Sequence, residues 1–306
     1  TVNEFLQNAQ MTNAALMSLG NINANKVTFE GDGRIVIDSE RIKTAAGDDK
    51  LGYQNINIKT ADDNTGNVII GYDGYDATID KDTGKAIGYA GANANGKGNE
   101  IAMVNGEEFT KADGYMWVED VNQLQAIDTN LEGNYALRNS IDATATSSWN
   151  DEGTDTKINE GFKQIGTETN NAFTGKFDGL DYNIFGLTIN RSNEEDVGLF
   201  GVVNGATINN VTLVGGSITG NYRVGGIVGN AIGENTVISN ATNSASVTGN
   251  SQVGGIVGII TGNSDNKSKV NNVINTGTIN GNAGNDVGGL IGSLNNSQLT
   301  GNSYNL

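Results

Sequence analysis

The chain has 306 residues with a formal net charge of −17, and it contains no proline, cysteine or histidine. Without cysteine and histidine, a disulfide framework, a thiolate nucleophile, an imidazole base, a Ser-His-Asp triad and a typical zinc site are all excluded. An acidic surface repels phosphate backbones, so no nucleic-acid partner is expected.

The first eighteen residues contain apolar side chains at near-helical spacing, namely Val2, Phe5, Leu6 and Ala9. With Thr1 as N-cap they predict a short helix, although residues 14–19 fit a strand equally well. The segment lacks the basic start and apolar core of a signal peptide. No apolar run approaches the roughly 18 residues that span a bilayer. We therefore expect this chain to be an interior piece of a longer protein, with its export signal elsewhere.

Residues 21–72 contain four short runs rich in Val and Ile, separated by Gly, Asp and Asn. They are Lys26–Phe29, Arg34–Ile37, Asn55–Ile58 and Asn67–Ile70. Runs of this length and composition between turn-forming residues predict strands. We interpret residues 1–72 as the first coils of a stacked β-structure, preceded by the short helix.

Residues 73–114 are the least regular part of the chain and include a Gly-rich stretch at 84–98. Insertions in solenoids form loops on one side of the stack. Binding residues often lie on loops that a rigid scaffold carries. The segment is predicted to be a hairpin or long loop, and it is the first candidate for a recognition surface, with a plain spacer as the alternative.

Residues 115–196 are predicted to contain one short helix and then further coils. Val121, Leu124 and Ile127 recur at steps of three between Asp120 and Thr129, which indicates a helix. The predicted strands that follow are Tyr135–Ile141, Phe162–Ile165 and Tyr182–Ile189.

Residues 197–306 repeat one short phrase four times. The copies are Val197-Gly-Leu-Phe-Gly201, Val224-Gly-Gly-Ile-Val-Gly229, Val253-Gly-Gly-Ile-Val-Gly258 and Val287-Gly-Gly-Leu-Ile-Gly292. Successive copies begin 27, 29 and 34 residues apart. A period in this range is typical of a stacked repeat architecture rather than of one irregular core.

Two further phrases repeat between these copies. Ile208-Asn-Asn-Val211 is aligned with Val237-Ile-Ser-Asn240 and Val270-Asn-Asn-Val273, and Ser217-Ile-Thr-Gly220 with Ser246-Val-Thr-Gly249 and Thr278-Ile-Asn-Gly281. Each period is therefore predicted to hold three short strands. Three strands cannot bury their own apolar face, but stacking pairs each strand in parallel with its neighbours about 4.8 Å away. The predicted fold is all-β, a right-handed parallel β-helix with loop insertions and one or two short helices.

In such a stack, side chains at equivalent positions lie above one another. A large side chain recurs at one position of the glycine phrase, which predicts an interior column of Phe200, Ile227, Ile256 and Leu290. Asparagine that recurs at a corner is expected to pass amide hydrogen bonds from coil to coil and to accept the left-handed backbone that a corner needs.

The glycine phrase resembles the GLUG-type repeat of bacterial surface exoproteins. Three upstream segments are also similar to filamentous-haemagglutinin-like, two-partner-secreted proteins, namely Tyr115–Ile127, Gly133–Asp142 and Phe173–Gly179. The resemblance, which runs from about Leu16 to the end, implies an adhesin that is secreted or displayed at the bacterial surface, outside the outer membrane. It also implies an outer-membrane transporter partner that acts through a region outside this chain.

Several β-helix proteins cleave polysaccharides, so an enzyme is the rival interpretation. A hydrolase needs two carboxylates that act as acid and base across a cleft. Asp178 and Asp181 are the nearest candidates, but turns beside Gly179 explain them as well.

A pectate-type lyase needs a basic residue above calcium-binding acids. Arg138 and Arg191 lie near Asp142 and Asp196 in the sequence, without a compact acid cluster. The segment Asp80-Lys-Asp-Thr-Gly84 starts like an EF-hand loop, but its twelfth position is glycine rather than glutamate.

The sequence therefore predicts no catalytic, cofactor or metal site. We expect a non-catalytic passenger that presents binding surfaces to an unidentified host or bacterial cell-surface glycan or protein. The alternatives are a spacer or filament subunit that associates with itself, and a polysaccharide-active enzyme.

Overall fold

The computed structural model describes residues 10–12, 22–23, 27–31, 35–38, 42–43, 56–60, 68–75, 88–89, 100–149, 159–263, 265, 267–281 and 286–306. The chain divides into two compact units. One comprises Thr1–Asp76 with Ala90–Trp117, and the other comprises Ala77–Tyr89 with Val118–Leu306.

The first ten strands are β1 Gln10–Thr12, β2 Ile22–Asn23, β3 Val27–Gly31, β4 Ile35–Asp38, β5 Ile42–Lys43, β6 Ile56–Thr60, β7 Val68–Tyr72, β8 Glu100–Val104, β9 Glu107–Thr110 and β10 Tyr115–Val118. The four predicted runs between residues 26 and 70 correspond to β3, β4, β6 and β7. Strand β3 pairs in parallel with β6, and β4 pairs in parallel with β7. All five residues of β7 are buried, as are Val36 and Ile37 of β4, so the pair of β4 and β7 contributes to an apolar interior.

Part of the irregular segment is the expected hairpin, because β8 and β9 pair antiparallel. Asn105 and Gly106 connect them, both with positive φ, 52° and 89°. An Asn-Gly pair adopts this backbone at little cost, which makes it a common two-residue hairpin turn. Residues 76–87 and 90–99 lie outside the described residues, as do residues 1–9 of the predicted N-terminal helix, whereas residues 10–12 form β1.

The predicted short helix is confirmed as α1, Val121–Ala126, continued by a 3-10 turn at Ile127–Thr129. Asp120 caps it, since its carboxylate accepts hydrogen bonds of 2.8 Å from the backbone N–H groups of Asn122 and Gln123. A second 3-10 turn lies at Thr144–Ser148. Within the described residues, no helix is long and apolar enough to cross a membrane.

The remaining strands are β11 Asn134–Leu137, β12 Ile141–Asp142, β13 Lys176–Asp178, β14 Asn183–Phe185, β15 Thr188–Asn190, β16 Phe200–Asn204, β17 Thr207–Asn209, β18 Thr212–Val214, β19 Ser217–Thr219, β20 Tyr222–Gly225, β21 Val228–Ile232, β22 Val237–Ser239, β23 Thr242–Asn243, β24 Ser246–Gly249, β25 Ser251–Gly254, β26 Val257–Thr261, β27 Ser268–Asn271, β28 Ile274–Asn275, β29 Ile279–Gly281, β30 Val287–Gly288, β31 Ile291–Asn295, β32 Ser297–Thr300 and β33 Tyr304–Asn305. The predicted strand Phe162–Ile165 is wrong, because only isolated bridges form near it.

The strands of the second unit stack into five parallel sheets, which confirms the predicted parallel β-helix. Their orders are β11-β13-β17-β22-β27-β32, β12-β14-β18-β23-β28-β33, β15-β19-β24-β29, β20-β25-β30 and β16-β21-β26-β31. One coil therefore contains five strands, as in β17 to β21, and the predicted three is wrong. The difference arises because two of the repeated phrases bend in the middle, at Asn210 in one and at Gly226 and Ile227 in the other.

The register confirms most of the repeat alignment and corrects two points. Val197, Val224, Val253 and Val287 are paired in succession, and Ile218 is paired with Val247. However, Ile208 faces Ile238 rather than Val237. Phe200 faces Val228 rather than Ile227, since the first copy of the phrase is one residue shorter.

Two consecutive residues of the glycine phrase are buried, which sequence alternation does not predict. Phe200, Ile227 and Ile256 are fully buried, and so are Val228 and Val257 beside the last two. The bend within the phrase turns both neighbours toward the interior. Burial is therefore confirmed for three of the four residues, because Leu290 of the last copy is only half-buried. The single predicted column is wrong at Phe200, which pairs with Val228 rather than with Ile227.

The predicted asparagine corner is confirmed. Asn210, Asn240 and Asn272 occupy equivalent positions after β17, β22 and β27, with φ of 55°, 52° and 51°. Asn272 donates a side-chain hydrogen bond to Asn240 Oδ1 at 3.3 Å, and Asn240 donates to Asn209 Oδ1 at 2.9 Å. Asparagine is suited to this corner because it tolerates the left-handed region and its amide links one coil to the next.

Candidate functional site

Asp178, the first hydrolase candidate, stabilises a turn. It is 7% exposed at the end of β13, and its Oδ1 accepts hydrogen bonds from Leu180 N at 2.8 Å and from Asn210 Nδ2 at 2.9 Å. Leu180 and Asp181 both have left-handed backbones, with φ of 48° and 63°. The carboxylate of Asp178 therefore anchors this turn to the next coil. This is the role in a turn beside Gly179 that the sequence offered as the alternative to catalysis.

The two arginines of the lyase hypothesis pair with acidic residues other than Asp142 and Asp196. Arg138 Nη1 lies 2.5 Å from Glu119 Oε1, not beside Asp142. The carboxylate of Asp142 is bonded by the hydroxyl and the backbone N–H of Thr144, and these bonds lower its pKa. Among the described residues, no group of three or more acidic, histidine or cysteine side chains is arranged to hold a metal ion. The EF-hand-like residues 80–84 lie outside the described residues.

Arg191 lies at the centre of a partly buried ion-pair network. Its side chain is 7% exposed, and Nη1 lies 2.6 Å from Glu194 Oε1 and 3.1 Å from Glu160 Oε2. Arg191 Nε donates to Phe162 O at 3.3 Å, and Gln164 Nε2 donates to Glu194 Oε2 at 2.8 Å. The network fastens the loop of residues 191–196 to the preceding coil.

Arg223 fastens the same loop to the following coil. It pairs with Asp196 and Glu195, and the hydrogen bond with Asp196 is the main cause of its raised pKa. Both Asp196 and Arg223 have left-handed backbones, with φ of 59° and 55°. Asp196 therefore belongs to this interface between coils and not, as the sequence suggested, to a site with Arg191.

A polar groove is the candidate recognition site of the second unit. Its volume is about 390 Å³, and its lining includes Asp128, Asn130, Glu132, Thr169, Asn170 and Asn171. One wall begins at the 3-10 turn after α1, and the other is the tight turn at residues 168–171. No motif marks this site, because its two walls lie about forty residues apart in the sequence.

The walls of the groove are fixed by backbone contacts. Thr174 N donates to Leu131 O at 2.9 Å and joins the two walls, while Asn171 N donates to Glu168 O at 2.9 Å and closes the turn. Tyr135 is fully buried, and its hydroxyl donates to Asn130 O at 2.5 Å. The position of the lining residues is therefore set by the packed coils behind them.

One of the two carboxylates in the described lining of the groove is neutralised by an ion pair. Asp128 Oδ2 lies 3.0 Å from Lys163 Nζ, and Asp128 Oδ1 accepts a hydrogen bond from Gly166 N at 3.2 Å. The carboxylate of Glu132, by contrast, lies on an exposed side chain. The other polar lining groups are amides and hydroxyls, which both donate and accept hydrogen bonds, and Leu131 and Ala172 add apolar surface. This chemistry suits a polar, uncharged ligand.

No family model matches the chain. The chain is 36% identical over 195 residues to halomucin from Haloquadratum walsbyi, and this match covers 61% of the chain but 2% of that protein. The chain thus spans a small fraction of the relative's length. Membership of the filamentous-haemagglutinin-like family and the GLUG-type identity of the repeat stay predictions.

A solved structure is also similar to the chain. It is that of a candidate immunoglobulin A1 protease from Bacteroides ovatus, with a TM-score of 0.44, 17% identity, and coverage of 61% of this chain and 68% of that one. The parallel coils make this chain a β-solenoid, with sequence similarity to halomucin over 195 residues.

Proposed function

We propose that the chain is a non-catalytic segment of a secreted or surface-displayed adhesin, in which the β-solenoid holds recognition surfaces in place. The observation that carries the proposal is the continuous register of the second unit. Val197, Val224, Val253 and Val287 follow one another across four coils, and each coil extends the core of the last. A solenoid of this kind is a rigid scaffold whose loops and grooves are exposed to solvent and available for binding.

Two further observations support a location outside the cell. The matched relative is named halomucin, and this match supports a secreted or surface protein. The chain contains no cysteine, which suits a protein that crosses a membrane unfolded. If the resemblance to two-partner-secreted exoproteins holds, an outer-membrane transporter recognises a region outside this chain, and the segment is displayed at the bacterial surface.

The test is attachment of the purified, fluorescently labelled chain to cells and to immobilised host matrix, with binding measured against protein concentration. We expect saturable attachment without turnover of any polysaccharide. Electron microscopy of the same material distinguishes the spacer alternative, for which filaments form and no surface is bound.

The enzyme alternative has its own test. Asp178→Asn and Asp181→Asn variants are assayed on acidic polysaccharides beside the unmodified chain. Turnover by the unmodified chain that either substitution abolishes would replace the adhesin proposal with a hydrolase.

A further inference from the structure

We propose that the polar groove binds a neutral, hydroxyl-rich sugar of one or two units. The proposal rests on the recognition role proposed above and gives that role a place and a ligand chemistry. The groove is defined by Asp128, Asn130, Glu132, Thr169, Asn170 and Asn171, and its volume of about 390 Å³ lies at the lower end of the range for small-molecule sites.

The chemistry of the lining selects the ligand class. Amides and hydroxyls line most of the groove and can both donate and accept, and a carboxylate accepts only. A sugar hydroxyl also donates and accepts, so it can satisfy each kind of polar group in the lining. The carboxylate of Glu132 would repel an anionic ligand, and Lys163, which pairs with Asp128 of the lining at 3.0 Å, is already neutralised by that pair. Sialic acids and phosphorylated ligands are therefore disfavoured.

The groups that would meet the ligand have hydrogen-bonding capacity to spare. Within the described structure, the side chains of Asn130, Glu132 and Asn170 make no hydrogen bond to the protein, and Asn171 Nδ2 reaches only Thr167 Oγ1 at 3.5 Å. Thr169 and Asn170 form the tip of a turn that is closed by the bond from Asn171 N to Glu168 O at 2.9 Å. Donors and acceptors held on a fixed backbone lose little freedom when a ligand binds.

The absence of an aromatic ring from the lining sets the expected strength. Without a ring surface for apolar contact, binding depends on hydrogen bonds that compete with water, each of which contributes little net free energy. We therefore expect dissociation constants of about 1 mM or weaker for a single sugar. A displayed adhesin with many copies gains from multivalency, so weak single sites still suffice for attachment.

The experiment is saturation-transfer-difference NMR on the full chain. The probes are the methyl glycosides of glucose, galactose, mannose and N-acetylglucosamine, and N-acetylneuraminic acid serves as the anionic comparison. We expect at least one neutral glycoside to bind and the acid not to bind. Asn170→Ala and Glu132→Ala should each weaken binding about fivefold or more, which corresponds to the loss of one or two hydrogen bonds.

The matched control is Asn193→Ala, which removes an exposed asparagine on the loop of residues 191–196. It should leave binding unchanged, and circular dichroism should show the same β-structure in all variants. Absence of binding by every neutral glycoside, binding of the acid alone, or full binding by both groove variants overturns the proposal. If the chain attaches to cells while no sugar binds, the groove assignment fails and the adhesin role stands; if it does not attach, the adhesin role fails.

Discussion

Gly226 lies directly against the buried side chain of Asn243, which belongs to the next coil of the solenoid. A Cβ atom added at Gly226 would be 2.7 Å from Asn243 Cγ. The same relationship recurs between Gly255 and Asn275, where the distance is 2.3 Å. The first copy of the phrase, Val197–Gly201, lacks this second glycine, and the position equivalent to Asn243 in the coil that follows it is Leu213. The second glycine of the repeat therefore leaves room for an asparagine of the next coil and also for a backbone oxygen of that coil, which would lie 2.4 Å from the added Cβ at both Gly226 and Gly255.

Alanine at Gly226 should destabilise the protein far more than alanine at Gly289. At Gly226 the added Cβ would also lie 2.4 Å from the backbone oxygen of Gly255, which cannot move independently of the sheet, whereas at Gly289 all three nearest atoms belong to the exposed side chain of Asn305. We expect a loss of about 3 kcal/mol for Gly226→Ala and less than about 1 kcal/mol for Gly289→Ala. Urea denaturation monitored by circular dichroism measures both.

A double substitution checks the cause. Asn305→Ala should remove most of the cost of Gly289→Ala, because it removes the three atoms nearest to the added Cβ. Asn243→Ala should not restore the stability of Gly226→Ala, because the contact with Gly255 remains. Equal effects at the two glycines would contradict this explanation.

Replacing Asn243 by leucine should also destabilise the chain, although leucine occupies the equivalent position one coil earlier, at Leu213. Asn243 is fully buried; its Nδ2 donates to Asn275 Oδ1 at 2.9 Å, and its Oδ1 accepts from Ala245 N at 3.0 Å. Asn243→Leu leaves the backbone N–H of Ala245 buried without its partner, at a cost of about 2 kcal/mol. The urea concentration at the midpoint of unfolding measures this loss of stability.

The control for this prediction is Asn305→Leu at the last coil. Asn305 is exposed and accepts one ladder bond, from Asn275 Nδ2 at 2.8 Å, so the change should cost less than about 1 kcal/mol, because water replaces the lost bond. If Asn243→Leu stabilises the chain instead, apolar packing outweighs the hydrogen-bonded ladder.

Arg191→Met should destabilise the chain more than Arg223→Met. The Arg191 side chain is 7% exposed and that of Arg223 is 28% exposed. Removing the guanidinium of Arg191 leaves the negative charges of Glu160 and Glu194 near each other without a positive partner. Because these carboxylates are partly solvated, we expect about 2 kcal/mol for Arg191→Met and about 1 kcal/mol or less for Arg223→Met.

Thermal unfolding at low and high salt measures this difference. The effect of Arg223→Met should shrink at high ionic strength, since exposed pairs are screened, while that of Arg191→Met should persist. The same salt dependence for both would show that Arg191 is solvated in solution.

Tyr72 should make the first unit sensitive to alkali. Burial raises the pKa of its phenol to about 12 from an ordinary value of 10.0, and the hydroxyl donates to Lys111 O at 3.0 Å. A pKa raised by folding contributes stability that is present below the unfolded value, so stability should fall as the pH rises from about 10 to about 12.

Unfolding of the chain by urea as a function of pH measures this loss. Tyr72→Phe removes the titrating group and should flatten the dependence, whereas Tyr222→Phe, which changes an exposed tyrosine, should not. An unchanged profile in Tyr72→Phe would assign the alkaline loss to other groups.

Local patterns predicted many of the strands, the helix and most of the register. The helix at Val121–Ala126 follows from the capping residue Asp120 and the spacing of Leu124 from Val121, which are features of neighbouring residues. The pairing of Ile218 with Val247 follows from two copies of one phrase. Such signals lie within one turn or one period, so the sequence alone contains them.

The register of Phe200 could not be derived in this way. The first copy of the phrase is one residue shorter, and the repeat pattern predicts Phe200 opposite Ile227, whereas the structure pairs it with Val228. The number of strands in a coil was also hidden, because a bend within a phrase depends on backbone angles that no period reveals. Asn210 shows this, since its positive φ divides one apparent strand into two.

The sequence by itself therefore determined a stacked parallel β-structure, because a repeat that cannot bury its own apolar face must bury it against the next copy. Only the tertiary structure decided which polar groups meet. The groove between Asp128 and Asn170, the pairing of Arg191 with Glu160 and the contact of Gly226 with Asn243 all join residues from different coils or loops. The physical reason is that side-chain chemistry is fixed by composition, whereas distances between coils depend on where each corner bends.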